Sequence, residues 1–155
     1  MKKTNAARLL DKAKIRYDLV EYTVDEADLS AVHVAESLGQ NIDQVFKTLV
    51  LRGKSTGIFV AIIPGGAEVN LKKAAKVSGN KSAEMVLMKE LLQLTGYIRG
   101  ACSPVGMKKH YPVYIHKTCM DFEFIFVSAG IRGQQLKVNP DDLISYIRAI
   151  VCDLI

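Results

Sequence analysis

The sequence predicts an α+β domain in which a mixed, curved β-sheet is flanked by short helices. Three observations carry that prediction. Strand-like runs follow one another in hairpin fashion, whereas a β-α-β winding would alternate them regularly with helices. The helical patterns are short, and each carries a capping residue or a closing glycine. The chain has 155 residues, room for one hydrophobic core and hence for a single domain over residues 1–155.

Taken in order, Thr4 can cap a first helix whose apolar side is Ala7, Leu9, Leu10 and Ala13. Residues 17–22 alternate imperfectly as a strand, and Ser30 caps a helix over residues 31–38 that Gly39 ends. Residues 45–51 and 58–63 are β-rich runs joined by Gly53-Lys54-Ser55-Thr56-Gly57, a hairpin pattern. Pro64-Gly65-Gly66 stops the second run, and Asn70 caps a helix over residues 71–78 that ends at Gly79. Residues 85–88 read as a short strand and residues 89–94 as a helical turn closed at Gly96. Further strands are expected at 112–116, 123–127 and 135–138. Asn139-Pro140-Asp141-Asp142 then opens a C-terminal helix: Asn caps, Pro suits the first helical position, and two acids complement the helix dipole. Leu143, Ile147 and Ile150 would lie along its apolar side.

Composition narrows the class. With 49% hydrophobic and 24% charged residues the chain is an ordinary globular one, which excludes disordered, collagenous and low-complexity scaffolds. No apolar run approaches the ~18 residues of a membrane span, and the N-terminus enters an amphipathic pattern directly, so a cytoplasmic protein without a membrane partner is expected. Cys102, Cys119 and Cys152 form no C-x-x-C pair, so reduced thiols are expected in place of a disulfide framework. His116 and Cys119 have H-x-x-C spacing, but His33 and His110 bring no second ligand pair, so neither metal nor cofactor is expected.

Charge is segregated along the chain. Residues 1–16 hold six Lys/Arg and one acid, residues 17–43 seven acids and no base, residues 44–140 fourteen bases and five acids, and residues 141–155 one base and three acids. A basic block of this kind can draw a polyanion to one face by releasing its condensed counterions, and it can equally be a solubilising surface.

Three places could hold chemistry. Lys47 lies inside a seven-residue apolar run with no acid within three positions, so its charge either reaches water along the side-chain stem or occupies a partly desolvated pocket. In such a pocket an ammonium binds anions or stabilises a developing oxyanion. Residues 96–106 hold three glycines and a proline, an irregular loop able to turn backbone N–H groups inward, with Lys108 and Lys109 following it. Within it Cys102 and Ser103 are candidate nucleophiles, against the plainer reading of turn residues. Residues 128–133 place Arg132 between glycines, where its fork could meet a phosphate or carboxylate. No G-x-S-x-G elbow occurs.

Val45-Phe46-Lys47-Thr48-Leu49, Leu71-Lys72-Lys73-Ala74-Ala75-Lys76, Thr95-Gly96-Tyr97, the stretch from Gly100 through Ser103-Pro104 and Gly106 to Lys109, and Ser128-Ala129-Gly130-Ile131-Arg132-Gly133 together resemble the YbaK/EbsC family. Its members are free-standing relatives of the editing domain inserted in bacterial prolyl-tRNA synthetase. The resemblance keeps one order from Thr4 to Leu143. It implies a sheet curving into a partly open barrel and hydrolysis of a wrong amino acid from tRNA, in this branch cysteine on tRNA for proline. By position it implies Lys47 as the essential lysine, Tyr22 as the pocket tyrosine, and Gly100, Ala101, Cys102, Ser103, Pro104 and Gly106 as the substrate-binding loop; Arg132, for its fork, and Gln135, which can hydrogen-bond a substrate amine, are further substrate-binding candidates. Lys72, Lys73, Lys76, Lys108 and Lys109 would face the tRNA, and prolyl-tRNA synthetase is an implied partner; DNA is not. The sequence departs from the family pattern at Ala101, where a second glycine is common, at Ile131, where lysine is frequent, and at Gln135, where some members carry aspartate.

The mechanism so implied is attack by the substrate's own cysteine thiol on its ester carbonyl, with Lys47 and the N–H groups of residues 100–103 stabilising charge. Alternatives are a deacylase for another small amino acid such as alanine, a non-catalytic tRNA- or synthetase-binding module, and Schiff-base chemistry at Lys47.

Overall fold

A computed structural model describes residues 2–155. Thr4 accepts a hydrogen bond from the Ala7 N–H and starts α1 (Asn5–Lys12), which buries Ala6, Ala7 and Leu10. β1 (Tyr17–Glu21) leads to α2 (Ala31–Leu38), capped by Ser30 and closed by Gly39 in the left-handed conformation. β2 (Phe46–Gly53) and β3 (Gly57–Pro64) form the expected hairpin, with Gly53 opposite Gly57. Its turn is held from outside: the buried Asn80 accepts from the N–H groups of Ser55 and Thr56 at 2.8 and 2.9 Å. A Cβ on Gly53 would collide with that side chain. The chain continues through α3 (Leu71–Ser78), β4 (Ala83–Met85), α4 (Leu91–Thr95), β5 (Val113–His116), β6 (Ile125–Ser128), β7 (Gln134–Val138), α5 (Pro140–Ile147) and β8 (Ile150–Cys152).

The strands divide into two sheets. One is antiparallel, in the order β1-β7-β6; the other is mixed, in the order β4-β2-β3-β5-β8, with parallel pairing at β3–β5 and β5–β8. The α+β class and the mixed sheet are as expected, but neither sheet closes into a barrel, which corrects the expected partly open barrel; the two meet at an isolated parallel bridge between Val45 and Phe126. The physical reason lies on one edge of β2. The bridge to β6 meets it at its start, β4 pairs only with Leu51, Arg52 and Gly53 at its end, and the stretch between has no strand partner there.

Two elements also differ from expectation. The strand placed at residues 85–88 is β4, ending at Met85, and a 3₁₀ turn at Met88–Glu90 leads into α4. Glu90 draws the chain away from the sheet by accepting from the Leu87 N–H at 2.9 Å and pairing with Arg52 at 2.8 Å. The C-terminal helix stops at Ile147, where Arg148 adopts the left-handed conformation at φ 56°. Ile150 therefore leaves the helix and opens β8, whose backbone pairs with the otherwise free edge of β5.

The main core lies between the sheets, where Val60, Ile62 and Ile115 pack with Val127, Leu136, Val138, Leu10 and Leu143. Leu51, Phe59 and Ile63 form a second cluster with Ala74 of α3 on the far face of the mixed sheet. Val34 and Ala35 of α2 close over Val45 and Phe126. The split between the sheets is thus covered at one end and open at the other.

Candidate active site

A cleft of 460 Å³ opens at this split. One wall is the free edge of β2, the floor carries Ser128 and Gln135, and the remaining walls are residues 27–31 before and at the start of α2, residues 85–88, and the loop at Arg99, Gly100 and Cys102. The Val50 carbonyl accepts from the Val86 N–H at 3.1 Å across this edge. Residues two apart present their backbone groups to the same edge, so the N–H and C=O of Thr48 face the cleft as well. An unpaired strand edge and polar side chains make a wall that can hold a polar substrate while apolar neighbours exclude water.

Lys47 lines this wall, half-buried, opposite Ile63 in the hairpin and on the same face as Leu49 and Leu51. Burial pulls its amine below the ordinary lysine range, and the Glu68 carboxylate opposes that pull. The amine is therefore a poorly solvated cation. Thr48 Oγ1 and Gln135 Oε1 are buried without hydrogen-bond partners, and both residues line the cleft. A buried oxygen left unpaired is costly; Thr118 Oγ1 and Gln134 Oε1, away from the cleft lining, are left in the same condition. Ser128 stands opposite Gln135 across β6 and β7, and its hydroxyl accepts from the Gly130 N–H at 3.1 Å. Asp28 is the one acid on the cleft wall among the described residues; a hydrogen bond from Ser30 holds its carboxyl below the usual range, so it is ionised at neutral pH.

The glycine-bearing loop is only partly at the cleft. Gly100 and Cys102 reach it, whereas Ala101, Ser103 and Pro104 are buried behind it and Gly106 packs toward Tyr97 and Leu9. The Ala101 N–H is already bonded to the Ile98 carbonyl at 3.0 Å, so the expected run of free amides over residues 100–103 is interrupted there. Ser103 turns its hydroxyl back to accept from the Val105 N–H at 3.2 Å. Burial pushes the Cys102 thiol up to about 12 and leaves it protonated at neutral pH. Tyr97 pins this loop to the neighbouring one: its hydroxyl donates to the Val105 carbonyl, and Gly130 lies so close that a Cβ there would stand 2.9 Å from the ring.

Other expected site residues fall outside the cleft lining. Tyr22 packs into the apolar cluster beneath α2. Arg132 donates from Nε to the Arg99 carbonyl at 3.0 Å, so it braces a cleft residue from outside. Lys72, Lys76, Lys108 and Lys109 are exposed. Lys73 differs from them, because it is tied to Asp153 at 2.8 Å and to the Ile155 carbonyl, closing the end of the chain onto α3. Among the described residues no group of three or more His, Cys, Asp or Glu side chains is placed to hold a metal ion, and no helix is long and apolar enough to cross a membrane.

Thr48, Ser128, Asp28 and Arg99 are cleft residues that sequence reasoning did not select. A threonine in a strand and a serine at a strand end are ordinary β residues; only the split between the sheets makes them polar groups in a cavity. Thr48 had one signal, its place beside Lys47 in an otherwise apolar run.

The model of the aminoacyl-tRNA editing domain matches residues 25–146 of the chain, a span that holds every cleft residue. A protein of Enterococcus faecalis, EbsC, to which a Cys-tRNA(Pro)/Cys-tRNA(Cys) deacylase activity is ascribed, is 49% identical over 143 residues, covering 92% of this chain and 87% of the relative. A proline–tRNA ligase of Thermosipho melanesiensis is 31% identical over 99 residues, covering 56% of this chain and 17% of the ligase. A solved structure described as that of a trans-editing enzyme for prolyl-tRNA synthetase has a TM-score of 0.83 at 23% identity, with 99% of this chain and 98% of that one aligned, and thus has the same fold.

Proposed function

The chain belongs to the aminoacyl-tRNA editing domain family, and from that premise we propose that it is a deacylase that acts in trans to remove cysteine attached in error to tRNA for proline. One observation carries the choice of mechanism: the cleft offers charge and hydrogen bonds but no activated nucleophile. Cys102 is held as a neutral thiol, Ser103 faces away, and no histidine is found on the wall among the described residues. This supports a nucleophile that arrives with the substrate.

In this mechanism the cysteine thiol, as thiolate, attacks the carbonyl carbon of its own ester. The ring that closes is a four-membered thiolactone, the bond to the ribose oxygen breaks, and that oxygen takes a proton as the tRNA leaves. Water then opens the thiolactone to free cysteine. Because the attack is intramolecular, holding the ester in one rotamer contributes much of the acceleration. Lys47, which lines the cleft, supplies the ammonium that stabilises the oxyanion of the tetrahedral intermediate, a reading its partial burial supports. Gly100 and Cys102 bring the backbone of the glycine-bearing loop to the same space. The Gln135 and Thr48 oxygens accept from the substrate's ammonium group, which Asp28 balances in charge. Lys72, Lys76, Lys108 and Lys109 serve the tRNA body through long-range attraction, and prolyl-tRNA synthetase is the partner that releases the substrate.

The test is a deacylation panel on tRNA for proline charged with cysteine, alanine, serine or proline. Selective loss of the cysteinyl ester is expected. Equal rates on the seryl and cysteinyl esters would replace the substrate thiol by water as the nucleophile, and no hydrolysis of any ester would leave a binding module.

A further inference from the structure

The cleft has an apolar lip that catalysis at the ester does not use. Met85, Leu87 and Met88 line its mouth and remain 43%, 57% and 59% exposed. Neighbouring large apolar side chains on a free surface usually mark a place where something binds. This lip is also fixed in position. The Val86 N–H is bonded to β2, the Leu87 N–H to Glu90 at 2.9 Å, and Glu90 in turn to Arg52 by a two-pronged contact at 2.8 and 3.2 Å. A rigid, exposed apolar surface binds without first losing conformational freedom. Arg99 lines the same cleft, exposed, with no ion-pair partner among the described residues and with its carbonyl braced by Arg132.

We propose that Met85, Leu87 and Met88 form a seat for the unpaired base of the tRNA's terminal nucleotide, with the Arg99 guanidinium available to the 5′ phosphate that joins it to the preceding nucleotide. The inference rests on the deacylase reading above and identifies the part of the substrate held outside the ester pocket. Its chemistry is that of connectivity. The ester joins the amino acid to the ribose of the last nucleotide, so an ester in the cleft leaves that nucleotide's base within one sugar's length of the mouth. A single-stranded end presents the flat faces of its bases, and a base face meets apolar side chains and polarisable thioethers favourably. Arg99 supplies the cation that the adjoining phosphate needs. The contact is indifferent to base identity, because every base has such a face.

The experiment measures deacylation of a cysteinylated acceptor-stem minihelix by the intact chain. Leu87→Ser/Met88→Ser should raise KM about tenfold while kcat stays within about twofold, since remote contacts made equally in ground and transition states act on binding. Its salt dependence should match the wild type, because no phosphate contact is lost. Arg99→Ala should instead reduce the slope of log affinity against log salt by about 0.7, the single-strand value for one phosphate. Leu92→Ser, exposed on the same segment but off the cleft lining, should change neither quantity. Unchanged KM in the double variant, with an active wild type, would overturn the base seat alone. A loss seen only when prolyl-tRNA synthetase is present would overturn it in favour of a protein partner. An inactive wild type would remove the deacylase reading and the seat together.

Discussion

Replacing Lys47 by methionine should move activity and stability in opposite directions. The side chain is half-buried on a β2 face it shares with Leu49 and Leu51, and burial already disfavours its charged form. Methionine keeps the length and apolar character of the stem, fits beside Ile63, and removes the poorly solvated ammonium; Glu68, exposed, returns to water. Covering the apolar end of one half-buried side chain stabilises by about 1 kcal/mol, reduced by the lost attraction to Glu68, so a net gain of ~0.5–1 kcal/mol is expected. For a domain of this size that is a rise of about 1–4 °C in Tm. Deacylation should nevertheless fall about 10²-fold, the cost of losing one electrostatic contact to the oxyanion, or ~2.7 kcal/mol in the barrier. The assays are thermal unfolding by circular dichroism and single-turnover hydrolysis of the cysteinyl ester. A variant of raised Tm and normal rate would refute the oxyanion role; a variant of lowered Tm and proportionally lowered rate would make Lys47 a structural residue.

Cys102→Ala should keep activity within about threefold, because a thiol held near 12 contributes no thiolate at neutral pH; a folded but inactive variant would make it the nucleophile. Lys72→Ala, Lys76→Ala, Lys108→Ala and Lys109→Ala should each flatten the salt dependence of tRNA binding by about 0.7–0.9, whereas Lys73→Ala should leave the slope unchanged and lower Tm, since its charge is engaged by Asp153. An equal slope change at Lys73 would contradict that division. His116 is buried, accepts from the Leu154 N–H at Nδ1 at 3.1 Å, and is pulled by burial below the usual histidine range. The unfolded chain therefore takes up a proton near pH ~6.5 that the folded chain resists, so stability should be level above that pH and decline as the pH falls through it toward the folded-state value. His116→Asn, a neutral acceptor, should shrink the difference in urea midpoint between pH 7.5 and 5.5, and an undiminished difference would assign the acid sensitivity elsewhere.

The sequence by itself determined the elements whose cause is local. Thr4, Ser30, Asn70 and Asn139 cap their helices by accepting from the backbone N–H three residues ahead, and Gly39, Gly79 and Gly96 close helices in a conformation that costs other residues more. The hairpin of β2 and β3 was equally legible, because alternation and a short glycine-bounded turn fix its register. Lys47 could be singled out because a charge in an apolar run conflicts with its surroundings whatever the fold. Tertiary structure alone decided the rest. The last strand replaced the end of a helix because β5 offered an unpaired edge, where Ile150 finds Tyr114, a partner 36 residues back that no local pattern reveals. The sheets separate along one edge of β2, where the bridge to β6 lies at Val45 and β4 pairs at Leu51, Arg52 and Gly53, and the cleft opens beside the stretch between. The folded chain also leaves Thr48 and Gln135 as buried acceptors without partners, puts Asp28 on the cleft lining, packs Tyr22 beneath α2 and pairs Lys73 with Asp153. Caps and turns are short-range and hence written in neighbouring residues; burial and charge pairing depend on which distant surfaces meet, and only the folded chain decides that.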